Sequence, residues 1–370
     1  MGEHKDLNDI ARETDGELDL DAITTPMETP PANQGEGEDM PELFQVGDLL
    51  DDAVSRIRAR ADGTERPVDT PWPALNDALR GGLWPGLVVL TGKSGDGKTQ
   101  MALQLTLHAA KQGIPGLYIG LELDRLGFAS RLMAMEYREE HNYPVQWSDL
   151  YVGRDPEGND PATPTLIDVM KYGRNAVKNL PIHFEEGPPQ GWPVSWLNER
   201  ARQVREGIPE EKPILIVLDF LQIVGRDDGD KSDLRELIRK AAYTGRAVAR
   251  EYNAVVVLVS STARENYGRL SGKDRSGKAI DGWPQSVPPG ELLGTGKESG
   301  EIEYAADVGL VLCRKTYKAG EGSPPVHLAV AKVRAGITSW LTLDFDGCMF
   351  ENDREPENND KSDMGGKFDV

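Results

Sequence analysis

Residues 87–99 read LVVLTGKSGDGKT, an apolar run followed by a glycine-rich loop and the start of a helical pattern. The loop has glycines at Gly92 and Gly97, followed directly by Lys98 and Thr99, which is the spacing of a phosphate-binding loop. Glycine suits these positions because backbone N–H groups must turn inward around phosphates, where side chains would block the approach. The flanking strand and helix argue against an ordinary glycine turn, so the segment predicts a triphosphate site at the end of a strand.

The loop over residues 92–99, called the P-loop below, also predicts which groups meet the ligand. Lys98 is placed to reach the β- and γ-phosphates of ATP, and the Thr99 hydroxyl to bind Mg²⁺. The helix that begins near Lys98 adds the positive end of its dipole. We therefore expect ATP and Mg²⁺ as cofactors. The residues expected to contact the nucleotide are Gly92, Lys93, Ser94, Gly95, Asp96, Gly97, Lys98, Thr99 and Gln100.

Two acidic residues that follow apolar runs extend the predicted site. Asp219 ends the run in KPILIVLDFLQIV, where we expect a second magnesium ligand at the end of a neighbouring strand. Glu122 follows the run in LYIGLELDR, at the sheet edge where ligands of open α/β sheets bind. It is the candidate to polarise the attacking water. Asp124 is an alternative for that role, and either acid could instead cap a helix.

Short apolar runs alternate with helical patterns through the middle of the chain. Most of the runs lack strict alternation of apolar and polar residues, which is typical of strands covered on both faces. The order predicts an α/β fold, a mostly parallel twisted sheet flanked by helices, with an antiparallel far edge where the last strands follow one another directly. The predicted strands cover residues 87–90, 116–121, 180–184, 214–219, 254–260, 308–313, 326–332 and 340–345, and the predicted helices 99–111, 126–138, 165–178, 194–205 and 232–252.

The formal net charge of −20 argues against a nucleic-acid partner until its distribution is considered. Residues 1–40 hold twelve acidic and two basic residues, and residues 351–370 hold seven acidic and three basic ones. Both ends have few large apolar side chains, so we expect disordered acidic tails over 1–42 and 351–370. A sharper alternative is that the tails imitate nucleic-acid charge and compete for a basic channel.

Other features of composition bear on the compartment. No apolar run approaches the roughly 20 residues that cross a bilayer, and the N-terminus lacks the pattern of a signal peptide. We therefore expect a cytoplasmic protein with no membrane partner. Cys313 and Cys348 lie in apolar runs without metal-ligand spacing and are interpreted as core residues in a reducing compartment.

Several ordered blocks between residues 43 and 347 resemble the C-terminal motor domain of DnaB-type replicative helicases. The blocks are PWPALNDALRGGLWPGLVVLTGKSGDGKT at 71–99, GLEL at 120–123, LDFLQ at 218–222, GKESGEIEYAADVGLVLCR at 296–314 and KVRAG at 332–336. That family has a RecA-like P-loop NTPase fold and forms hexameric rings that move on single-stranded DNA. The resemblance implies that Glu122 is the catalytic glutamate. It also implies a linker helix and connector over 43–70 ahead of an ATPase domain over 71–350.

The block KVRAG resembles the finger motif of the family. In a strand, Lys332 and Arg334 project to the same face, so both cations can reach one phosphate. The resemblance implies that the pair completes the nucleotide site of the neighbouring subunit. The alternative is a solvated edge strand that carries paired cations.

The loop over 264–297 is the predicted DNA-contacting element. It is rich in Gly and Pro and too long for a simple connection. The resemblance implies that it faces a central channel, whereas the alternative is a solvated mobile loop. Tyr267 and Trp283 could stack on bases or pack internally. The predicted DNA-binding residues are Arg264, Arg269, Lys273, Arg275 and Lys278.

The chain departs from the family at two places. Ser261 stands where the family usually has a glutamine that senses the γ-phosphate. The acidic start replaces the family's large N-terminal helical domain, so we expect a plasmid, phage or accessory relative rather than a chromosomal helicase.

The sequence alone does not decide the role of two further segments or the exact activity. An amphipathic helix over 43–60 docks either on an adjacent protomer or on its own domain, and the polar stretch 139–164 has no predicted role. Besides a DNA translocase or helicase, the sequence allows a RecA-like ATPase without unwinding activity, such as a recombination mediator or a KaiC-like regulator. A catalytically weak ring subunit is a third possibility.

Overall fold

The structure, a computed structural model, describes residues 45–156, 163–188, 191–225, 231–274, 276–295, 304–315 and 324–351. The chain divides into two units, residues 1–55 and 56–370. In the first unit, the described residues begin helix α1 (Val46–Ala61), which corresponds to the helix predicted over 43–60. The predicted acidic tails lie outside the described residues, apart from Glu351.

A nine-stranded sheet organises the second unit. Its strands are β1 (Gly86–Gly92), β2 (Gly116–Gly120), β3 (Ile182–Glu186), β5 (Ile214–Asp219), β7 (Ala254–Ser261), β8 (Val308–Arg314), β9 (Val326–Val333), β10 (Ser339–Phe345) and β11 (Phe350–Glu351), while β4 (Trp192–Pro193) and β6 (Val224–Gly225) form a separate pair. The order across the sheet is β11-β10-β9-β8-β1-β7-β5-β2-β3. The strands from β8 to β3 are parallel, and β9, β10 and β11 are antiparallel. This confirms the predicted mixed sheet.

Helices cover both faces of the sheet. Besides α1 they are α2 (Pro73–Ala78), α3 (Lys98–Lys111), α4 (Arg125–His141), α5 (Trp147–Val152), α6 (Leu166–Val177), α7 (Trp196–Arg205) and α8 (Leu234–Glu251). Along β7, Val255 and Val257 pack into the core beneath α3 and α4, whereas Val256 packs into the core beneath α7 and α8. Alternate residues of one strand thus serve two layers, which explains the continuous apolar run.

A glycine allows α8 to approach the sheet closely. A Cβ atom at Gly245 would lie 3.2 Å from Cδ1 of Leu87 in β1. That distance is tighter than ordinary van der Waals contact, so a Cβ atom here would require the Leu87 side chain to shift by a few tenths of an ångström.

The sheet order corrects one expectation. The strand that ends at Asp219 is not the neighbour of β1, because β7 lies between β1 and β5. Gly92 pairs with Ser261, and Asp219 pairs with Val259, so the carboxyl ends of the three strands still meet at one edge. Strand order depends on non-local packing, which the local apolar runs do not encode.

The loop over 264–297 is organised rather than merely solvated in its described part. It contains the 3₁₀ turns Arg264–Asn266, Arg269–Ser271 and Pro289–Thr295. Trp283 is only 6% exposed and packs with Leu270 and Leu292 against β8 and β9. Trp283 is therefore a packing residue, and it is not available to stack on bases.

The stretch 139–164 also contributes to the core. It holds α5, and Val145 and Leu150 are buried. Cys313 and Cys348 are free and buried, in agreement with their interpretation as core residues. None of the helices in the described ranges is both long and apolar enough to span a bilayer.

Packing of the second unit extends a few residues ahead of the predicted domain start at 71. Val68 is fully buried and pairs with Leu83 in an antiparallel bridge. The limits 43–70 and 71–350 stay a prediction.

Candidate nucleotide-binding and catalytic site

The P-loop connects β1 directly to α3, and its glycines adopt conformations that other residues resist. Gly95 and Gly97 have φ angles of 84° and 96°. A Cβ atom at Gly97 would lie 2.6 Å from Cζ of Phe350. Gly97 is therefore required both by backbone geometry and by space, and the loop keeps its amides close to the first turn of α3.

Lys98 folds back over the loop that precedes it. Its Nζ donates hydrogen bonds to the carbonyl oxygens of Gly92 at 3.0 Å and Lys93 at 2.8 Å. Burial lowers the pKa of Lys98, against the opposing effect of the carboxylates of Asp96, Asp219 and Glu122. The ammonium group therefore lies among acids at the carboxyl edge of the sheet.

Asp219 is held in place by its neighbours at the end of β5. The residue is 3% exposed, and its carboxylate accepts a hydrogen bond from the Tyr118 hydroxyl at 2.6 Å, while the nearby Thr99 side chain also lowers its pKa. Burial raises the pKa of Asp219, while Tyr118, Thr99 and Lys98 oppose the rise. Thr99 and Asp219, predicted from separate motifs, are thus in contact.

Tyr118 was not among the predicted site residues. It lies inside the apolar run of β2 and is fully buried, so the sequence offers only a hydroxyl in a core strand as its signal. Burial raises the pKa of Tyr118 well above its usual value, so the hydroxyl remains a donor to Asp219.

Glu122 and Asp124, the two candidates for the catalytic base, occupy different places. Glu122 lies on the cavity wall with Lys98 and Asp219. Burial and the nearby carboxylate of Asp219 raise its pKa, while Lys98 opposes the rise. Asp124 is the N-cap of α4, where its Oδ1 accepts a hydrogen bond from the Gly127 N–H at 2.7 Å. The capping alternative therefore describes Asp124, and Glu122 remains the predicted base.

These groups surround one cavity of 740 Å³ at the carboxyl edge of the sheet. That volume is in the range of pockets that bind small molecules and cofactors. The cavity is lined by Ser94, Gly95, Gly97, Lys98, Thr99, Gln100, Glu122, Arg131, Trp147, Asp219, Phe220, Ser261, Thr262, Ala263, Arg264, Tyr267, Phe345 and Gly347.

Arg131 and Trp147 are wall residues that the sequence analysis missed. The Arg131 guanidinium lies 3.7 Å from the centre of the Trp147 ring, and its Nη1 donates to Gln100 Oε1 at 2.8 Å. The Gln100 side chain thus accepts a hydrogen bond from Arg131 and donates one to the carbonyl oxygen of Cys348. Trp147 comes from α5, in a stretch that carries no motif, so only tertiary structure brings it to the cavity.

Ser261, the residue at the predicted sensor position, ends β7 beside the P-loop. Its backbone N–H donates to Gln222 Oε1 at 3.3 Å, and Gln222 Nε2 donates to Ser260 Oγ at 2.7 Å. Gln222 therefore holds the end of β7 in position. The sensor role of Ser261 stays a prediction.

The two predicted finger cations lie away from this cavity. Lys332 pairs with Gly309 at the beginning of β8, whereas the P-loop begins at Gly92, opposite Leu312 near the end of β8. Lys332 is thus three residues along β8 from the level of Gly92, towards the amino end of that strand. Arg334 lies farther away, bonded to Asp307 beside the start of β1.

Arg334 does not belong to the strand that carries Lys332. β9 ends at Val333, so Arg334 lies in the bend that follows, and Ala331 is an extra residue at a register shift in β9. Strand geometry therefore does not set the direction of Arg334. Its Nε instead donates to Asp307 Oδ1 at 2.8 Å, with the side chain 49% exposed.

The predicted DNA-binding residues are distributed over several places. Arg264 lies on the wall of the nucleotide cavity, whereas Arg269 pairs with Glu291. Lys273 and Lys278 are exposed. Arg275 lies outside the described residues. DNA contact by these residues stays a prediction.

The P-loop also contains a buried acid, Asp96, which is 5% exposed. Burial raises the pKa of Asp96 to about 6, against the opposing effects of Lys93, Lys98 and Arg314. A carboxylate at this position is costly to ionise, and it adds negative charge beside the predicted phosphates.

Replacing Asp96 with Asn should stabilise the nucleotide-free protein at alkaline pH. The folded-state pKa lies above the ordinary 3.8, so the wild type loses stability as pH rises towards 6, and above that the full cost of about 3 kcal/mol is present. We expect Asp96→Asn to raise the free energy of unfolding by about that amount at pH 8 and about half as much at pH 5. Urea denaturation at the two pH values measures the effect.

The exposed Glu210→Gln serves as a control for the Asp96 experiment, with an expected change within about 0.5 kcal/mol at both pH values. If Asp96→Asn destabilises the protein equally at pH 5 and pH 8, the carboxylate supports the loop and the predicted cost is wrong.

The sequence is similar to a known family and to known helicases. The sequence pattern of the family described as DnaB-like helicase C terminal domain matches residues 68–352. A probable replicative DNA helicase of Trieres chinensis is 22% identical over 274 residues, which are 70% of this chain and 51% of that protein. The replicative DNA helicase DnaB of Geobacillus stearothermophilus is 22% identical over 287 residues, 77% of this chain and 56% of that protein.

Two solved structures are similar to the fold. One is an isolated ATPase domain, which superposes with a TM-score of 0.65 at 19% identity, covering 84% of this chain and 99% of that domain. The other is a DnaB-like replicative helicase studied with primase, which superposes with a TM-score of 0.64 at 19% identity, covering 85% of this chain and 68% of that chain. The chain spans about half the length of the two helicases that it matches in sequence.

Proposed function

Because the chain belongs to the family of DnaB-like helicase C-terminal domains, we propose that it is the ATP-driven motor of a ring-shaped DNA helicase. One observation carries the proposal. A single cavity gathers Lys98, Glu122 and Asp219, whereas Lys332 lies near the start of β8 and Arg334 lies at Asp307, near the amino ends of the parallel strands. A second copy of the chain can supply those cations, which favours a homo-oligomer, and the family resemblance favours a hexamer.

In this proposal, ATP binds with its phosphates at the P-loop amides and Lys98. Glu122 accepts the proton of the attacking water, and its raised pKa brings it closer to the pKa suited to a base at neutral pH. Lys98 offsets charge that develops on the γ-phosphoryl group, and Arg334 of the adjacent copy adds a further cation from outside.

The Thr99 hydroxyl and the Asp219 carboxylate fit a magnesium ion. They lie close enough for Thr99 to lower the pKa of Asp219, and oxygen atoms are the ligands that this hard cation prefers. Magnesium bound there would offset the negative charge of the phosphates. The Tyr118 hydroxyl donates a hydrogen bond to the Asp219 carboxylate at 2.6 Å and so restrains its position.

ATP hydrolysis with and without single-stranded DNA tests the activity. We expect oligo(dT) to raise the ATP turnover rate at least severalfold and the protein to unwind a forked duplex, because the motor couples hydrolysis to movement along a strand. Lys98→Ala is the control in both assays, since it removes the cation at the phosphates.

The two assays separate the alternatives. If single-stranded DNA stimulates ATP hydrolysis but the protein does not unwind the forked duplex, the protein is a RecA-like ATPase that does not separate strands. A turnover rate that is independent of single-stranded DNA would contradict the proposal.

A further inference from the structure

Asp307, the residue directly before β8, holds the predicted finger residue Arg334 by two contacts. Its Oδ1 forms an ion pair with Arg334 Nε at 2.8 Å. Its backbone carbonyl oxygen accepts a hydrogen bond from the Arg334 N–H at 3.1 Å. Both the main chain and the side chain of Arg334 are thus bound to one residue, and the guanidinium remains half-exposed at the surface.

Asp307 is itself fixed to the start of β1. Its Oδ2 accepts a hydrogen bond from the Leu87 N–H at 2.9 Å, and its own N–H donates to the Leu87 carbonyl oxygen at 2.8 Å. A Cβ atom at Gly86 would lie 2.9 Å from Asp307 Oδ2, so glycine lets the carboxylate approach the strand. The two carboxylate oxygens therefore bind different segments, which fixes the orientation of the side chain.

The bend that carries Arg334 is held at its other end as well. The Ile337 N–H donates to the carbonyl oxygen of Ala78, the last residue of α2, at 2.9 Å. A Cβ atom at Gly336 would overlap that oxygen, so the close approach requires glycine. The backbone of residues 334–337 is therefore bound at both ends, and the side chain of Arg334 starts from a fixed position.

We propose that Asp307 is the positioning residue of the finger, an inference that rests on the proposed function. The ion pair engages Nε of Arg334, and the Nη atoms carry further N–H donors in the same rigid plane. A guanidinium of fixed orientation presents those donors to phosphate oxygens without first losing rotational freedom. Its ligand is the γ-phosphoryl group of a nucleotide that is bound to an adjacent copy of the chain.

Asp307→Asn tests the inference, because it removes the charge that holds Nε and keeps the size of the side chain. We expect the kcat for ATP hydrolysis to fall about 10- to 100-fold, the cost typical of a misplaced group, with KM for ATP unchanged. Steady-state kinetics measure both constants. A raised KM with a wild-type kcat would mean that Asp307 supports β1 and the P-loop of its own chain, and the inference would be wrong.

A double variant separates positioning of Arg334 from an independent effect of Asp307. If Asp307 acts through Arg334, the variant that combines Asp307→Asn with Arg334→Ala should be as slow as Arg334→Ala alone. A double variant that is slower by the full factor of Asp307→Asn would contradict the inference.

Glu185→Gln is the matched control. Glu185 Oε2 pairs with Arg200 Nε at 2.6 Å, and its Oε1 accepts a hydrogen bond from Trp192 Nε1 at 3.1 Å. This carboxylate therefore also binds an arginine with one oxygen and an N–H group of another segment with the other. We expect wild-type turnover, since neither partner belongs to the predicted finger.

Arg334→Lys tests the same point without altering Asp307. A lysine ammonium that pairs with Asp307 offers no rigid plane of further donors to a phosphate. Turnover should therefore be nearly as low as in Arg334→Ala, although the positive charge is kept. This variant decides the question even if Asp307→Asn does not fold.

The outcomes distinguish the inference from the proposed function. If Arg334→Ala hydrolyses ATP at the wild-type rate, the finger role in the proposed function is wrong, and the inference is wrong with it. If Arg334→Ala is slow but Asp307→Asn or Arg334→Lys keeps the wild-type rate, only the positioning role is refuted.

Discussion

Replacing Glu122 with Gln should lower the ATP turnover rate by about 10²- to 10⁴-fold, the contribution typical of a positioned general base. The amide keeps the shape of the side chain but cannot accept a proton from water. ATP affinity should be preserved or slightly increased, because the change removes a negative charge near Lys98 and Asp219. Steady-state hydrolysis and binding of a fluorescent ATP analogue measure the two effects.

Asp124→Asn is the matched control for this experiment. Asp124 is two residues away in sequence but caps α4, and Asn is an equally good N-cap residue. We expect turnover close to that of the wild type. If Asp124→Asn is the slow variant and Glu122→Gln is not, the base has been assigned to the wrong carboxylate.

The pH dependence of turnover gives an independent check of the same assignment. Burial and the Asp219 carboxylate raise the pKa of Glu122, and a base must be ionised to accept a proton. The wild-type rate should therefore fall on the acid side at a pH above the usual titration range of a glutamate. The residual rate of Glu122→Gln should lack that fall.

The parts of the site that the sequence predicts are those encoded in contiguous segments. The P-loop is one run of residues, in which the tight backbone turn requires the glycines and phosphate contact requires the lysine. Asp219 ends a strand that is recognisable from its apolar side chains. Parallel strands bring their carboxyl ends to one edge, so Thr99 and Asp219 meet although they are far apart in the chain.

The remainder of the site depends on tertiary packing. Trp147 reaches the cavity from a stretch without a motif, and Tyr118 has the sequence signature of an ordinary core residue. β7 lies between β1 and β5, and β9 has a register shift at Ala331 and ends before Arg334. Local patterns of apolar residues specify neither.

Replacing Arg334 with Ala should lower ATP turnover by about 10³-fold or more while leaving nucleotide affinity nearly unchanged. The guanidinium is bonded to Asp307, near the amino ends of the parallel strands, whereas the P-loop lies at their carboxyl ends. Under the proposed function, Arg334 therefore acts on the nucleotide of another copy. Its partner Asp307 also accepts a hydrogen bond from the Leu87 N–H, so the carboxylate keeps a partner in the variant. A melting temperature near that of the wild type would show that the fold is retained.

Mixing two inactive variants distinguishes action between copies from action within one chain. Arg334→Ala retains Glu122, and Glu122→Gln retains Arg334, so an interface with the first variant's cavity and the second variant's finger has every predicted group. Mixed oligomers of the two variants should therefore hydrolyse ATP faster than either variant alone. If the mixture is no faster than its components while exchange of subunits is demonstrated, Arg334 does not complete a neighbouring site, and the oligomeric motor loses its main structural support.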